Sequence, residues 1–196
     1  MDSWTLPKAL IVGNKSYRIR SDYRAVLDIL IAMNDPEIFS PEMTDEEKQF
    51  EKIMTMLQIL YIDFDLILEK YYQEALDKAC EFIDCGIKDE GKQKPQLIDW
   101  NQDSPIIVPA INKIYGKDIR SLKYMHWWTF LGLYMEIGES TLSTVVSIRN
   151  KKNRGKKLDE WEIEFLKSNK NLVILNKKSS YTSEEKKALK KLFGIK

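Results

Sequence analysis

Few residues of this chain could do acid–base or nucleophilic chemistry. The only histidine, His126, lies between Met125 and Trp127, and a lone histidine among aromatic residues is usually packed or hydrogen bonded in a core. A hydrolase triad also needs a nucleophile on a sharp turn, and no Gly-x-Ser-x-Gly motif is present. The sequence has neither a P-loop nor a Gly-x-Gly-x-x-Gly fingerprint. We therefore expect no enzymatic activity.

Candidate metal ligands are also sparse. Asp63 and Asp65 could bind a hard cation, but two carboxylates are too few for a protein cage. A pair that favours a helix start is the better interpretation. Cys80 and Cys85 are five residues apart, so they form neither a metal pair nor a redox motif. The sequence predicts no catalytic residue, no metal site and no cofactor.

A basic run between two predicted helices is the first candidate for partner contact. Residues 149–157 contain six Lys or Arg side chains and no acidic one. The run could contact phosphate or an acidic protein. A solvated loop is the more common role of such a run, and both interpretations stay open. The candidate partner-binding residues here are Arg149, Lys151, Lys152 and Arg154.

A cluster of aromatic residues is the second candidate. Trp127, Trp128 and Phe130 have a spacing typical of a core, but tryptophan is also enriched in interface hot spots. Adjacent residues on a helix diverge by about 100°, so one tryptophan could face the core and the other a partner. We predict these three residues as structural anchors and as candidates for partner binding.

The bulk composition indicates a folded, mostly helical protein. The 196 residues are 43% hydrophobic and 11% aromatic, with 8 glycines and 6 prolines. Disordered chains have few aromatic residues, and scarce Gly and Pro favour helices over turn-rich β folds. With 31 basic and 30 acidic residues the net charge is +1. This balance makes nucleic acid an unlikely main partner.

No targeting or membrane segment is visible in the sequence. Residues 1–4 form no basic start to an apolar run, so we expect no signal peptide. No stretch approaches about 18 uncharged apolar residues, the length that a transmembrane helix needs. Reduced cysteines fit a cytosolic protein. We expect a protein that binds other proteins and no membrane.

A β-hairpin followed by helices must position the candidate residues. Gly13 and Asn14 lie between alternating apolar arms and suit a two-residue hairpin turn. The apolar periods that follow are helical. We therefore predict a mostly α protein, a helical bundle with an N-terminal β-hairpin. The predicted parts are a single helical domain over residues 1–176, with the hairpin at 6–20, helical halves at about 21–85 and 104–175 and a polar connection at 86–98, and a lysine-rich tail at 177–196.

Local signals predict several helix ends. Ser21 is a good N-cap, Thr44 to Glu47 forms a capping box, and Ser104-Pro105 resembles a helix start. Pro109 removes a backbone donor, so its helix should be kinked or start late. Residues 121–137 are apolar almost all round, which predicts a central buried helix.

Two further helices are predicted near the C-terminus. Leu158, Trp161 and Phe165 have helical spacing and mark an amphipathic helix. A short capped helix begins at Thr182, with Glu185 three residues later.

Three segments, in order, resemble a known family. They are Trp4-Thr5-Leu6-Pro7 with the hairpin and Ser21-Asp22-Tyr23-Arg24-Ala25-Val26-Leu27; Asp99-Trp100-Asn101-Gln102-Asp103 through Tyr115-Gly116 and Asp118-Ile119; and His126-Trp127-Trp128-Thr129-Phe130-Leu131 with Thr141 and Ile148-Arg149. The chain resembles the bacteriophage "gene product fifteen" family of siphophage tail-module proteins over most of residues 4–175. The His-Trp-Trp-x-Phe segment leading into Ile-Arg is the most specific part.

The resemblance implies a tail assembly chaperone. Such a protein would coat the tape-measure protein in the host cytoplasm before tail tube protein polymerises around it, and repeated copies on one template could form a homo-oligomer with avidity. Exposed apolar helical faces aggregate unless they are covered, and a helix-in-groove contact could cover them. Two alternatives stay open: a structural virion component of the tail or connector, and a nucleic-acid-binding accessory protein that uses residues 149–157.

Overall fold

The computed structural model describes residues 4–34, 43–87 and 95–176. These residues form a mostly helical protein with an N-terminal antiparallel hairpin, which confirms the predicted fold class. The strands are β1 (Ala9–Val12) and β2 (Lys15–Arg18). The α-helices are α1 (Tyr23–Asn34), α2 (Asp45–Leu60), α3 (Tyr72–Ile83), α4 (Ser104–Tyr115), α5 (Trp127–Met135), α6 (Thr141–Asn153), α7 (Glu160–Ser168) and α8 (Lys170–Val173). Short 3-10 helices span Phe64–Leu66, Glu69–Tyr71 and Ile119–Ser121.

The hairpin turn has the predicted position and a tight environment. Gly13 and Asn14 both have positive φ, 53° and 61°, which matches the twist of a two-residue hairpin loop. The Tyr71 ring packs on Gly13, and a Cβ atom there would lie 2.7 Å from that ring. Glycine is therefore required at this position by both backbone and packing.

A third extended segment, residues 60–62, hydrogen bonds to residues 18–20, and α3 packs against β1. The Arg20 N–H donates to the Leu60 carbonyl at 2.8 Å, and the Ile62 N–H donates to the Arg18 carbonyl at 3.0 Å. The Tyr61 hydroxyl donates to the Ala75 carbonyl at 2.9 Å. Small residues on α3 let it pack closely against β1, because alanine keeps the backbones near one another.

Contacts within the chain define two compact units, each built from separate stretches of sequence. Unit 1 contains residues 4–34, 43–87 and 124–128, and unit 2 contains residues 95–123 and 129–176. The apolar centre of unit 2 is Val145, Ile148 and Val173, packed by Ile106, Leu158, Phe165, Leu166 and Leu172. The predicted single domain over residues 1–176 stays a prediction.

The apolar segment 121–137 differs from the single helix that the sequence predicts. Its α-helix begins only at Trp127. The Met125 carbonyl accepts the Tyr23 N–H at 2.9 Å, and the Trp127 N–H donates to the Ser21 carbonyl at 2.8 Å. These bonds attach an extended stretch to the start of α1, so tertiary pairing replaces local helical bonding there.

Other predicted helix ends are partly confirmed. The capping box at Thr44 is present. α1 begins at Tyr23, and the Asp22 carboxylate accepts the Arg24 N–H, whereas the Ser21 hydroxyl hydrogen bonds to the Tyr124 hydroxyl at 2.9 Å. Ser21 is therefore not the cap. α4 begins at Ser104 and contains Pro109; of the two predicted effects of Pro109, the late start does not occur and the kink stays a prediction.

The remaining predictions concern the C-terminal half and the connection. α7 forms as predicted, but Trp161 is 56% exposed, so it does not lie on the buried face. Most of the polar connection, the lysine-rich tail and the helix predicted from Thr182 lie outside the described residues.

Candidate functional site

The two adjacent tryptophans hold the end of α3 within unit 1. The indole N–H of Trp127 donates to the Ile83 carbonyl at 2.8 Å, and that of Trp128 donates to the Phe82 carbonyl at 2.8 Å. Carbonyls in the last turn of a helix have no donor within the helix, so the indoles act as caps. Trp127 is buried and Trp128 is half-buried.

His126 fixes the start of α5. Its Nδ1 accepts the Trp128 backbone N–H at 3.1 Å, and its Nε2 lies 2.9 Å from the Pro7 carbonyl oxygen. An acceptor role for Nδ1 puts the proton on Nε2 and makes the ring neutral. Burial lowers the pKa of His126, with a smaller lowering from Lys8 and an opposing contribution from the Pro7 carbonyl. As the sequence predicts, this histidine is packed and hydrogen bonded.

A buried ion pair organises unit 2. The Arg149 guanidinium donates to both carboxylate oxygens of Asp103, at 2.6 and 2.8 Å. Its other hydrogen bonds go to the carbonyls of Leu97, Leu172 and Val173. Both charged side chains are at most 4% exposed. Every donor of a guanidinium can thus be satisfied, as burial of a charge requires.

The segment around Asp103 adds further internal hydrogen bonds. The Asp99 carboxylate accepts the backbone N–H groups of Asn101 and Gln102. The Gln102 amide donates to the carbonyls of Asn171 and Ile174, at 3.0 and 2.8 Å. Gln102 therefore ties the start of α4 to the end of α8.

The basic run is divided by the structure into internal and exposed residues. The Lys151 ammonium donates to Glu162 at 2.7 Å and to Asp159 at 2.9 Å. These carboxylates raise the pKa of Lys151, with Glu162 contributing most. Lys152 and Arg154 are exposed.

The predicted partner-binding residues therefore differ in accessibility. Trp127, Phe130 and Arg149 are buried, whereas Trp128 and Lys151 are half-buried. The Phe130 ring packs near Trp100 in unit 2, with 6.3 Å between ring centroids. Partner binding by these residues stays a prediction, and the exposed cations are best placed for it.

Four exposed aliphatic side chains in unit 1 are further candidates for partner contact that the sequence reasoning missed. We call Ile11, Ile62, Leu66 and Leu68 the outer aliphatic residues; they are 64%, 43%, 69% and 58% exposed. The sequence gives no signal for this exposure, because the alternation of apolar residues with Asp63 and Asp65 over residues 62–66 predicts that the apolar side chains are buried. Such alternation is typical of a segment with one solvated side.

The stretch that carries most of these aliphatic residues is fixed in place. The Arg18 guanidinium donates to both oxygens of Asp63, at 3.1 and 3.0 Å, and holds the pKa of that carboxyl below its usual range. The Tyr17 hydroxyl donates to the Leu66 carbonyl at 3.2 Å. Exposure of Leu66 thus occurs in an anchored segment.

Across residues 4–34, 43–87 and 95–176, no group of three or more His, Cys, Asp or Glu side chains is placed to hold a metal ion. No helix in these ranges has the length and apolar character that a membrane span requires.

Comparison with known sequences gives the class of protein. The sequence profile described as "Bacteriophage Gp15 protein" matches residues 5–175, so this is a bacteriophage protein of the structural or morphogenesis class. The chain belongs to the bacteriophage Gp15 protein family. No curated protein and no solved structure matches it.

The side chains that carry the resemblance are mostly internal. His126, Trp127 and Trp128 tie unit 1 together, while Asp103 and Arg149 do so in unit 2. These residues therefore stabilise the fold, and exposed side chains are the better candidates for partner contact.

Proposed function

We propose that this protein is a tail assembly chaperone that binds the tape-measure protein in the host cytoplasm during tail morphogenesis. The observation that carries the proposal is membership of the bacteriophage Gp15 protein family over residues 5–175. The tape-measure protein is a long chain with apolar helical faces, which must be covered until tail tube protein surrounds it.

The outer aliphatic residues are the proposed contact surface. Leu66 and Leu68 are 69% and 58% exposed in an anchored segment. A surface that is already ordered loses less conformational entropy when it binds. Several copies along one tape measure would add avidity to individually weak contacts.

The test is co-expression with the tape-measure protein encoded downstream, followed by pull-down and comparison of soluble yields. We expect the tape-measure protein to be soluble and to co-purify only when this chain is present. Equal insolubility with and without this chain, or a stoichiometric amount of the chain in finished virions by mass spectrometry, contradicts the proposal.

A matched pair of variants tests the contact surface. Leu66→Asp with Leu68→Asp should reduce co-purification, because charges replace apolar contact area. The control is Met135→Asp, whose side chain is 58% exposed in unit 2. Loss of binding in the control alone places the contact away from the outer aliphatic residues.

A further inference from the structure

Four exposed cationic side chains follow one another at the end of α6. They are Lys152, Arg154, Lys156 and Lys157, which we call the basic loop. The neighbouring Lys151 is neutralised by Glu162 and Asp159. Within the part of the chain that the structure describes, the four side chains of the basic loop have no such acidic partner.

The backbone of the basic loop is held in one shape. The Gly155 N–H donates to the Lys152 carbonyl at 3.0 Å, and the Lys156 N–H donates to the Lys151 carbonyl at 2.8 Å. Gly155 has a φ of +64°, the left-handed geometry that ends many helices. The Lys151 ammonium also joins the loop to the capping box of α7.

Burial of Glu162 strengthens this attachment. Its carboxylate is 1% exposed and accepts both the Lys151 ammonium and the Asp159 N–H, at 2.7 and 2.8 Å. Of the six cations of the run, Arg149 is buried in its ion pair, Lys151 fixes the loop, and the remaining four are exposed. A loop whose backbone is already ordered loses less conformational entropy on binding than a flexible loop would.

We propose that the basic loop is a docking site for an acidic segment of a partner protein. Four cations attract an anionic partner, and each ion pair at an exposed site contributes modestly, so the contact is reversible and salt-sensitive. Trp161, 56% exposed two residues into α7, adds an aromatic side chain near the loop in sequence. The site accepts an acidic protein whether or not the tape-measure protein is that partner.

Acidic residues around the loop favour a protein over nucleic acid. Asp159, Glu160 and Glu164 are exposed in the segment that follows the basic loop. A phosphate backbone continues in both directions and would meet these like charges, whereas a short group of carboxylates can end where the cations end. The net charge of +1 also provides no wider attraction for nucleic acid.

The experiment measures binding of the full chain to a short fluorescein-labelled polyglutamate peptide by fluorescence anisotropy. We expect binding that weakens when salt rises from about 50 mM to about 300 mM. The variant Lys152→Glu with Arg154→Glu should weaken binding at least about tenfold, because attraction becomes repulsion at two positions. The control Lys167→Glu with Lys170→Glu makes the same charge change at exposed lysines elsewhere in unit 2.

The possible results separate the alternatives. Selective loss in the loop variant, with unchanged circular dichroism and unchanged co-purification of the tape-measure protein, supports an acidic docking site distinct from the chaperone surface. Equal loss in both variants, or no binding of polyglutamate at low salt, overturns the proposal. Tighter binding of a single-stranded oligonucleotide that displaces the peptide overturns it in favour of a nucleic-acid site.

Discussion

Each of the two units is stabilised internally by hydrogen bonds, and the chemistry of these bonds differs between the units. In unit 1, the ties around residues 126–128 are neutral, with indole and imidazole groups hydrogen bonded to backbone carbonyls. In unit 2, the tie is a buried ion pair between Arg149 and Asp103, surrounded by carbonyl acceptors. The hydrogen bonds described in unit 1 therefore link neutral groups, whereas the central one in unit 2 links two charged groups.

This difference determines how the stability of each unit responds to substitution of these side chains and to acid. Loss of a neutral donor leaves a carbonyl without its partner, which costs only that group's desolvation. Loss of one partner from a buried ion pair leaves an uncompensated charge in the interior, which costs more. Acid, by contrast, should act first on the neutral tie, because a histidine belongs to it.

Removal of the guanidinium should have the largest effect. Arg149→Met should lower the free energy of unfolding by about 3–5 kcal/mol, because Asp103 stays buried without a counter-ion. Urea denaturation followed by circular dichroism measures the change. Lys152→Met, at an exposed position in the same helix, is the control. A loss similar to that of the control would show that the pair does not organise unit 2.

Removal of one indole donor should have an intermediate effect. Trp127→Phe retains an aromatic ring but leaves the Ile83 carbonyl without its indole donor, so we expect a loss of about 1–3 kcal/mol. The same urea titration gives the value, with Trp161→Phe at an exposed site as the control. A loss as large as that of Arg149→Met would remove the distinction between the two ties.

Acidification should weaken unit 1 by an amount that depends on pH. The pKa of His126 is lowered by burial, so its contribution to stability is complete above about pH 6.5 and is lost as the pH falls toward the folded-state value. Below about pH 6.5 the unfolded chain binds the proton more readily than the folded chain, so the free energy of unfolding falls as the pH falls. Thermal unfolding across this range measures it.

A non-titrating cap provides the control for that experiment. His126→Asn retains an acceptor for the Trp128 N–H, since asparagine is a good N-cap. This variant should show a flat stability profile over the same pH range. Persistence of the full pH dependence in His126→Asn would assign it to other groups.

The smallest effect should come from the ion pair of Lys151. Lys151 is 30% exposed and Asp159 is 63% exposed, so solvent screens their attraction, and the buried Glu162 keeps its hydrogen bond from the Asp159 N–H when Lys151 is replaced. We expect Lys151→Met to destabilise less than Arg149→Met and less than Trp127→Phe. Repeating the urea titration at high salt should reduce the difference from the unsubstituted protein, whereas the effect of Arg149→Met should persist.

Local signals were sufficient for much of the fold. The hairpin turn at Gly13-Asn14 and the capping box at Thr44 depend on residues that are neighbours in sequence. Their physics is contained in short windows, so the sequence predicts them directly. The start of α5 is different, because residues 124–126 belong to the apolar stretch predicted as a helix but pair with the start of α1.

The surroundings of the candidate partner-binding residues are harder to predict, because they depend on residues that are distant in sequence. Arg149 belongs to a basic run in sequence, yet its partner Asp103 lies 46 residues away. Helical spacing predicts that Trp161 lies on the buried face of α7. In the structure Trp161 is exposed and Glu162 is buried, where it completes the capping box and binds Lys151. Such choices depend on long-range partners, which periodicity alone does not reveal.

The composition of unit 1 has a consequence for synthesis on the ribosome. Residues 4–34 and 43–87 emerge first, but the stretch 124–128 that caps α3 and pairs with α1 is made later. At about 5–20 residues per second, the delay between residues 87 and 124 is roughly two to seven seconds. During that time the Ser21 and Ile83 carbonyls lack the hydrogen-bond donors that Trp127 later provides. A nascent chain or a fragment that ends before residue 124 therefore presents an incompletely folded unit 1 to the proteases and chaperones of the cell.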